Sequence, residues 1–293
     1  MNQILVSKIQ RFSLEDGSGI RTTVFLKGCN FRCVWCHNPE SLVKYPILGV
    51  DVSRCDGCRR CIPMCPQEAL SMTANTITVD RNRCNNCGIC VPECYRQVFS
   101  LCGNVYTPAS LVATLQEDIS YFERSNGGVT FSGGEPLCQL QGLVATLKLC
   151  KQMGIHTILQ TNLSLPFEQT IPYVDHYMID IKLVDDEKHR AWVGEGTGVV
   201  LRNILVLDTL AASYEVRTPV IPQCNDTKDD ILEIVGFLKR LHNVKRYRLL
   251  GYHPLGIPKY TQFGIPIQYN SMQGMDSSIL NELQQLAEEE LHR

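Results

Sequence analysis

From residue 104 onward, apolar and polar positions switch repeatedly between two periods. Leu111, Val112, Leu115, Ile119 and Phe122 recur at the spacing of one helix face. Val129–Ser132 reads as a short strand that stops at Gly133-Gly134, and residues 139 to 153 return to a helical pattern ended by Gly154. The same reading predicts strands at Thr157–Gln160, Tyr177–Lys182, Tyr214–Ile221 and Arg246–Leu250. Between and after them it predicts helices near 166–174 and 200–211, one capped by Thr227 and running to about Leu241, and a polar one from about Asp276 to the end. Thr22–Lys27 is the one apolar strand of the first 48 residues. Six strands separated by helices predict the α/β class, a parallel sheet with its helices outside. Cys29, Glu135, Asn162, Lys182 and His253 all fall just past strand ends. Sites in such folds sit at the carboxyl ends of the strands, so these residues are predicted to converge on one rim.

Residues 49–103 break the alternation. They are short-patterned, rich in Cys, Pro and Gly, and hold two copies of one motif. The first is Cys55-Asp-Gly-Cys58-Arg-Arg-Cys61-Ile-Pro-Met-Cys65 and the second is Cys84-Asn-Asn-Cys87-Gly-Ile-Cys90-Val-Pro-Glu-Cys94, displaced by 29 residues. A fixed period of this kind marks an internal duplication.

Composition narrows the picture mainly through cysteine. Eleven of the 15 cysteines lie between Cys29 and Cys94 in three tight groups, and an odd total argues against a fully paired disulfide framework. Clustered thiols in a reducing compartment read as metal ligands. With 28 Lys+Arg against 30 Asp+Glu, no basic excess points to nucleic acid or to an anionic membrane. No apolar run approaches the ~20 residues of a membrane span. Met1–Gln10 lacks the features of a signal peptide, so a cytoplasmic location is expected.

The loop after the first strand, Lys27-Gly28-Cys29-Asn30-Phe31-Arg32-Cys33-Val34-Trp35-Cys36-His37-Asn38-Pro39, carries three cysteines and no nearby fourth. Thiolates suit iron–sulfur clusters, and three ligands to a four-iron cubane leave one iron open for reaction. The competing readings are a zinc site with His37 as fourth ligand, or thiols packed in a core turn. Each run of the duplicated segment has the C-x2-C-x2-C-x3-C spacing of bacterial ferredoxins, in which the fourth cysteine serves the other cluster. One cluster is therefore expected on Cys55, Cys58, Cys61 and Cys94, and another on Cys84, Cys87, Cys90 and Cys65. Pro66 follows Cys65 as that pattern expects, whereas Tyr95 follows Cys94. These clusters would relay electrons, or would only staple a segment too small to hold its own core.

C-x3-C-x2-C after a first strand resembles the radical S-adenosylmethionine (SAM) superfamily. Gly19-Ile20-Arg21, the Gly28-Cys29 step and Trp35-Cys36-His37-Asn38-Pro39 look like the glycyl radical enzyme activating enzymes, relatives of pyruvate formate-lyase activating enzyme. The resemblance covers roughly residues 4 to 265. It implies a partial (β/α)6 radical SAM barrel from residues 1–48 and 104–293, with residues 49–103 as an inserted bacterial-ferredoxin-like domain. It further implies three [4Fe-4S] clusters, one of them binding SAM and held by Cys29, Cys33 and Cys36. SAM would be cleaved reductively to methionine and a 5′-deoxyadenosyl radical, which takes a hydrogen from a glycine of a partner glycyl radical enzyme. The expected electron donor is flavodoxin or ferredoxin, and the chain is expected to act as a monomer without nucleic acid or membrane.

Ser132-Gly133-Gly134-Glu135-Pro136 matches the family's GGE motif, where Gly134 would approach the SAM amine. Asp180-Ile181-Lys182 ends a strand with Asp180 and Lys182 on one face. Lys182 suits the SAM carboxylate and Asp180 the ribose or a cation, against the plainer reading of a strand-end salt bridge. His253 in Tyr252-His253-Pro254-Leu255-Gly256 matches the family's YHxxG, and Trp35 and His37 flank Cys36 where the nucleoside would lie, although Trp35 also suits plain core packing. Arg217 resembles a family arginine near the radical site and equally suits a salt bridge at the core edge. The chain departs from the family at Asp16-Gly17-Ser18-Gly19, which lacks a proline, and at Gln160-Thr161-Asn162-Leu163. There the neutral Gln160 replaces an acid and counts against the prototype's monovalent-cation site. Cys102, Cys138, Cys150 and Cys224 match nothing and read as small buried hydrophobes. Two other functions share these features: a radical SAM enzyme acting directly on a small molecule or peptide, and a non-catalytic iron–sulfur electron-transfer protein.

Overall fold

The computed structural model describes residues 3–210 and 212–293. Two strands open the chain, β1 (Ile4–Ser13) and β2 (Arg21–Leu26). The Cys-rich segment holds β3 (Ile47–Val50), β4 (Leu70–Thr73), β5 (Thr76–Val79), the single turn α1 (Cys90–Glu93) and β6 (Phe99–Cys102), and β7 (Asn104–Tyr106) leads out of it. The remainder runs α2 (Pro108–Gln116), α3 (Ile119–Ser125), β8 (Gly128–Gly133), α4 (Leu140–Gln152), β9 (Thr157–Thr161), β10 (His176–Asp180), α5 (Asp186–Val193), α6 (Gly198–Thr209), β11 (Tyr214–Val220), α7 (Lys228–Leu238), β12 (Val244–Gly251), α8 (Ile257–Phe263) and α9 (Ser277–Leu291).

The six predicted strands are β2, β8, β9, β10, β11 and β12, and they pair in parallel in that order. Their sequences are almost continuously buried, as for a sheet covered on both faces. The sheet stays open. Beyond β2 it continues through β1 and β7, both antiparallel. At its other edge α9 covers β12, where the Gln284 side chain accepts from Leu249 N–H at 2.8 Å and so caps an edge that would otherwise invite pairing.

Three sequence expectations change. The first 48 residues hold β1 and the start of β3 as well as the expected strand. Residues 168–173 form a 3-10 turn rather than a helix, because Pro172 interrupts it. Helices α5 and α8, absent from the sequence reading, complete the rim.

A main core runs under the parallel sheet, and a second cluster of buried side chains gathers Leu48, Leu70, Ile77, Val98 and Phe99 around Cys61 and Cys90. The segment around it contains two small antiparallel ladders, β3 with β6 and β4 with β5. Ala74 and Asn75 both take positive φ and turn the tight β4–β5 hairpin.

The Asp16–Arg21 segment lies at the opposite end of the sheet from the three-cysteine loop. Arg21 is wholly buried, and its guanidinium donates to Thr130 Oγ1 at 2.7 Å and Val129 O at 2.7 Å. It ties β2 to β8 at the amino ends of the strands. Among the described residues no helix is long and apolar enough to cross a membrane.

Candidate active site

The carboxyl ends of the parallel strands open into a cavity of about 490 Å³. Cys29, Cys33 and Cys36 line it together with Trp35, His37, Gly134, Asp180, Lys182 and His253. Glu135 and Asn162 line it as well, so Cys29, Glu135, Asn162, Lys182 and His253 meet at one rim as predicted. Ile181 does not share the cavity: its side chain is in the core, and its backbone pairs with Arg217 O and Thr218 Oγ1 of β11. Arg217 also lies elsewhere. It lines a second cavity, towards the amino ends of the strands, with His176, Met178 and Arg248, and its Nε meets Glu215 Oε1 at 2.6 Å, both side chains nearly buried. Of the two readings of Arg217, the geometry displays the salt bridge. Cys150 and Cys224 are buried as expected of small hydrophobes, while Cys102 and Cys138 are half-buried.

Elements distant in sequence shape the cysteine loop. Gly28 N–H donates to Ser41 O at 2.7 Å and Cys29 N–H to Leu42 O at 3.2 Å. The carboxyl end of α5 accepts from the loop, with Arg32 N–H to Val193 O at 2.8 Å and Val34 N–H to Trp192 O at 3.1 Å. From the other side α8 contributes Tyr260, whose hydroxyl donates to Cys36 O at 2.8 Å. Lys259 Nζ donates to His37 O at 3.0 Å, Asn38 Oδ1 at 2.7 Å and Glu40 Oε1 at 3.0 Å. Neither helix carries a motif that would signal these supports.

The GGE segment is packed against the same loop. A Cβ on Gly134 would stand 2.4 Å from Gly28 O, so only glycine lets the two backbones meet there. Glu135 is buried at the wall of the same cavity, beside Asn162. It accepts from Thr161 Oγ1 at 2.7 Å, Asn162 N at 2.7 Å and Leu137 N at 3.0 Å. Burial raises its carboxyl to about 7 despite these three donors. Glu135 thus joins the ends of β8 and β9 at the cavity wall.

Electrostatics separate the site's groups. Burial raises all three thiols, Cys36 to about 12, while Lys182 pulls Cys33 partly back. Their thiolate forms therefore require positive charge at the sulfurs, which iron supplies. Burial pulls Lys182 down, but Asp180 and the nearby sulfurs outweigh it, so its ammonium is held well above the usual range. Lys182 Nζ stands 3.3 Å from Asp180 Oδ2. His37 is lowered to about 4 by burial and by His253, whose ring stacks on it at 4.2 Å with 7° between planes. Its imidazole is neutral at physiological pH.

The donor set fits an iron–sulfur cluster with SAM on its open corner. Among the described residues, three buried side-chain atoms have no partner: His37 Nε2, Glu40 Oε2 and Asp180 Oδ1. Unsatisfied buried atoms cost ~1–3 kcal/mol each, so a polar ligand that meets His37 and Asp180 in the cavity would relieve them. Also among the described residues, no three His, Cys, Asp or Glu side chains converge on one point as a single ion would need. A cubane takes its thiolates at separate corners.

In the duplicated segment, Cys61 is raised by burial and further by the sulfurs of Cys94, Cys58 and Cys55. Cys65, Cys84, Cys87 and Cys90 line one small cavity of about 20 Å³. Cys65 of the first run thus lies with Cys84, Cys87 and Cys90 of the second, and Cys94 of the second run lies near enough to Cys61 to act on its thiol. Each fourth sulfur accepts a backbone N–H four residues on, Cys65 from Ala69 at 3.3 Å and Cys94 from Val98 at 3.4 Å.

The family described as a 4Fe-4S single cluster domain matches residues 15–190, more than half of the chain, which marks an iron–sulfur protein. The trans-4-hydroxy-L-proline dehydratase activating enzyme of Clostridioides difficile is 37% identical over 290 residues, covering 97% of this chain and 96% of its own. The (2S)-3-sulfopropanediol sulfolyase activating enzyme of Bilophila wadsworthia is 40% identical over 268 residues, 89% of this chain and 88% of its own. Among solved structures, Streptococcus suis SuiB bound to its precursor peptide SuiA shares the fold, with a TM-score of 0.51 at 16% identity over 64% of this chain and 40% of that one. The chain belongs to the radical SAM activating enzymes that serve glycyl radical enzymes.

Proposed function

We propose that this protein installs a glycyl radical on a larger partner enzyme, with Cys29, Cys33 and Cys36 as the three protein ligands of the reactive cluster. The observation that carries the reading is the meeting of three half-buried thiols, a charged Lys182 and the unpartnered Asp180 and His37 atoms in one strand-end cavity. The bound cluster and SAM supply one-electron cleavage to methionine and a 5′-deoxyadenosyl radical, which removes hydrogen from a glycine of the partner. The protein's own groups bind and orient. Lys182, kept protonated by Asp180, would pair with the SAM carboxylate, and His253 would donate to the same group. Asp180 would accept from the ribose through its free oxygen. His37 and Trp35 would flank the nucleoside, and Gly134 would admit the amine close to the backbone. The cavity walls Phe31, Trp35 and Leu249 shield this chemistry from water.

The two quartets in residues 49–103 would hold two further four-iron clusters, making three in all, and would relay electrons from a flavodoxin or ferredoxin. The relay follows from the demand for a low-potential donor, a range that such clusters reach. Residues 1–48 and 104–293 would then form the catalytic domain of a monomer acting in the cytoplasm. Anaerobic incubation of the reduced protein with SAM and a glycyl radical enzyme encoded nearby should give a glycine-centred doublet in the electron paramagnetic resonance (EPR) spectrum. Cys33→Ala should abolish 5′-deoxyadenosine formation while keeping about eight of twelve irons. Retained cleavage in that variant would sink the ligand assignment.

A further inference from the structure

The duplication makes the two cysteine runs nearly equivalent, so what differs between them is informative. Backbone geometry is shared: Gly57 and Asn86 occupy equivalent positions with φ of 76° and 59°, and so do Arg59 and Gly88 with 64° and 76°. Side chains are not shared. Arg59 and Arg60 stand between Cys58 and Cys61, Arg96 stands two residues past Cys94, and all three are exposed. At the same places around the other quartet stand Gly88, Ile89 and Gln67. Among the described residues none of the three arginines forms a salt bridge, although Asp56 and Glu93 lie in the same stretches of chain. Arg96 Nε donates to Arg54 O at 3.3 Å, and Arg60 lies 5.6 Å over the Tyr95 ring, whose hydroxyl bonds Asp56. Arg59 holds its cation in a left-handed conformation that favours glycine, and its counterpart is glycine.

The second run differs in the opposite sense. Cys84 lines a cavity of about 400 Å³ whose other wall includes Arg32, Cys33 and Val34 of the catalytic loop. Arg81 spans the junction, donating to Leu48 O at 2.6 Å and to Gln262 O of α8 at 3.2 Å. The two quartets are equally exposed. Among the described residues, however, only the second shares a cavity with the reactive loop, and only the first carries exposed arginines outside a salt bridge, three of them against the two carboxylates of Asp56 and Glu93.

We infer that the face carrying Arg59, Arg60 and Arg96 is the docking surface for an acidic, low-potential one-electron carrier protein, and that electrons cross the segment in one direction. This rests on the relay reading above. One electron leaves the reduced carrier, which is oxidised by one. It enters through the sulfurs of Cys55, Cys58, Cys61 and Cys94, passes to those of Cys84, Cys87, Cys90 and Cys65, and leaves from Cys84 towards Cys33. No bond is made or broken and no proton is required. Charge complementarity of this kind sets the encounter rate and its salt dependence.

The test uses the full chain loaded with iron and sulfide, reduced flavodoxin as probe, and photoreduced deazaflavin as a small reductant that needs no docking face. Arg59→Glu, Arg60→Glu and Arg96→Glu combined should keep full iron content and deazaflavin-driven SAM cleavage. Flavodoxin-driven reduction should slow by roughly tenfold or more at low salt, with its ionic-strength dependence flattened. An unchanged flavodoxin rate overturns the docking face. Direction is tested by Cys87→Ala and Cys58→Ala, each expected to hold about eight of twelve irons. After mixing with flavodoxin, freeze-quenched EPR of Cys87→Ala should show reduction of the remaining segment cluster with the SAM-binding one still oxidised. Cys58→Ala should show no fast reduction of either. The reverse pattern overturns the direction. Wild-type rates in both variants overturn the relay itself, whereas failure of the wild-type protein to cleave SAM with deazaflavin overturns the radical SAM reading alone.

Discussion

At the scale of single residues, the site works by contrasts in charge state that burial alone would not give. Lys182 is the clearest. Burial opposes its charge, yet Asp180 on the same face of the strand end keeps it an ammonium. That pairing was legible because side chains two apart on a strand share a face. Lys182→Met should weaken SAM binding by about 1.5–3 kcal/mol, the worth of a hydrogen bond to a charged group, and leave iron content unchanged. Equilibrium binding followed through the SAM-induced change in the cluster's EPR signal would measure it; an unaltered Kd would remove Lys182 from the site. Glu135 is one of the rim's polar groups, as its place past a strand end predicts, and it also braces β8 against β9. Its partners Thr161 and Asn162 lie at and just past the end of the next strand, 26 and 27 residues away, and no local pattern reports a contact at that separation.

At the scale of elements, the six parallel strands could be read because each is a compact apolar run, and the cysteine loop because its spacing is chemical. The two helices that clamp the loop could not. In α5, Asp-Glu-Lys-His-Arg-Ala-Trp-Val, only His189 and Val193 are buried, too few to show a periodic face. In α8 the informative residues, Lys259 and Tyr260, act through the backbone of residues 36–38, which no side-chain pattern encodes. Strand β1 was missed because only Ile4, Val6 and Ser13 of its ten residues are buried. The clamp has a measurable consequence. Tyr260→Phe keeps the ring's packing and removes only the hydrogen bond to Cys36 O, at a cost of about 0.5–1.5 kcal/mol. Iron should then leave the reactive cluster several-fold faster under chelator challenge, and the other eight irons should leave at their ordinary rate. Equal rates for wild type and variant would show that the loop keeps its shape without α8.

At the scale of the molecule, the duplicated segment and the open sheet have separate cores, so the path between them depends on the few contacts that join them. The duplication and its cysteine ligands were legible, but the seam was not, because it pairs Arg81 with a helix residue 181 positions away. Arg81 is half-buried, and burial lowers its guanidinium from the ordinary value, so its hydrogen bonds are made where water competes poorly. Its Nε also lies where a Cβ on Gly264 would come within 2.6 Å, which leaves that corner no room for a larger residue. Arg81→Ala should free the carbonyls of Leu48 and Gln262 and cost about 1–3 kcal/mol at the seam. Hydrogen exchange should rise in β3 and α8 while the parallel strands keep their protection. Because the seam separates Cys84 from Cys33, electron transfer from flavodoxin should slow as SAM cleavage driven by deazaflavin holds steady. If exchange rises at the seam but both reductants work at wild-type rates, then the contact is structural only, and electrons reach Cys33 by a route that does not pass Cys84.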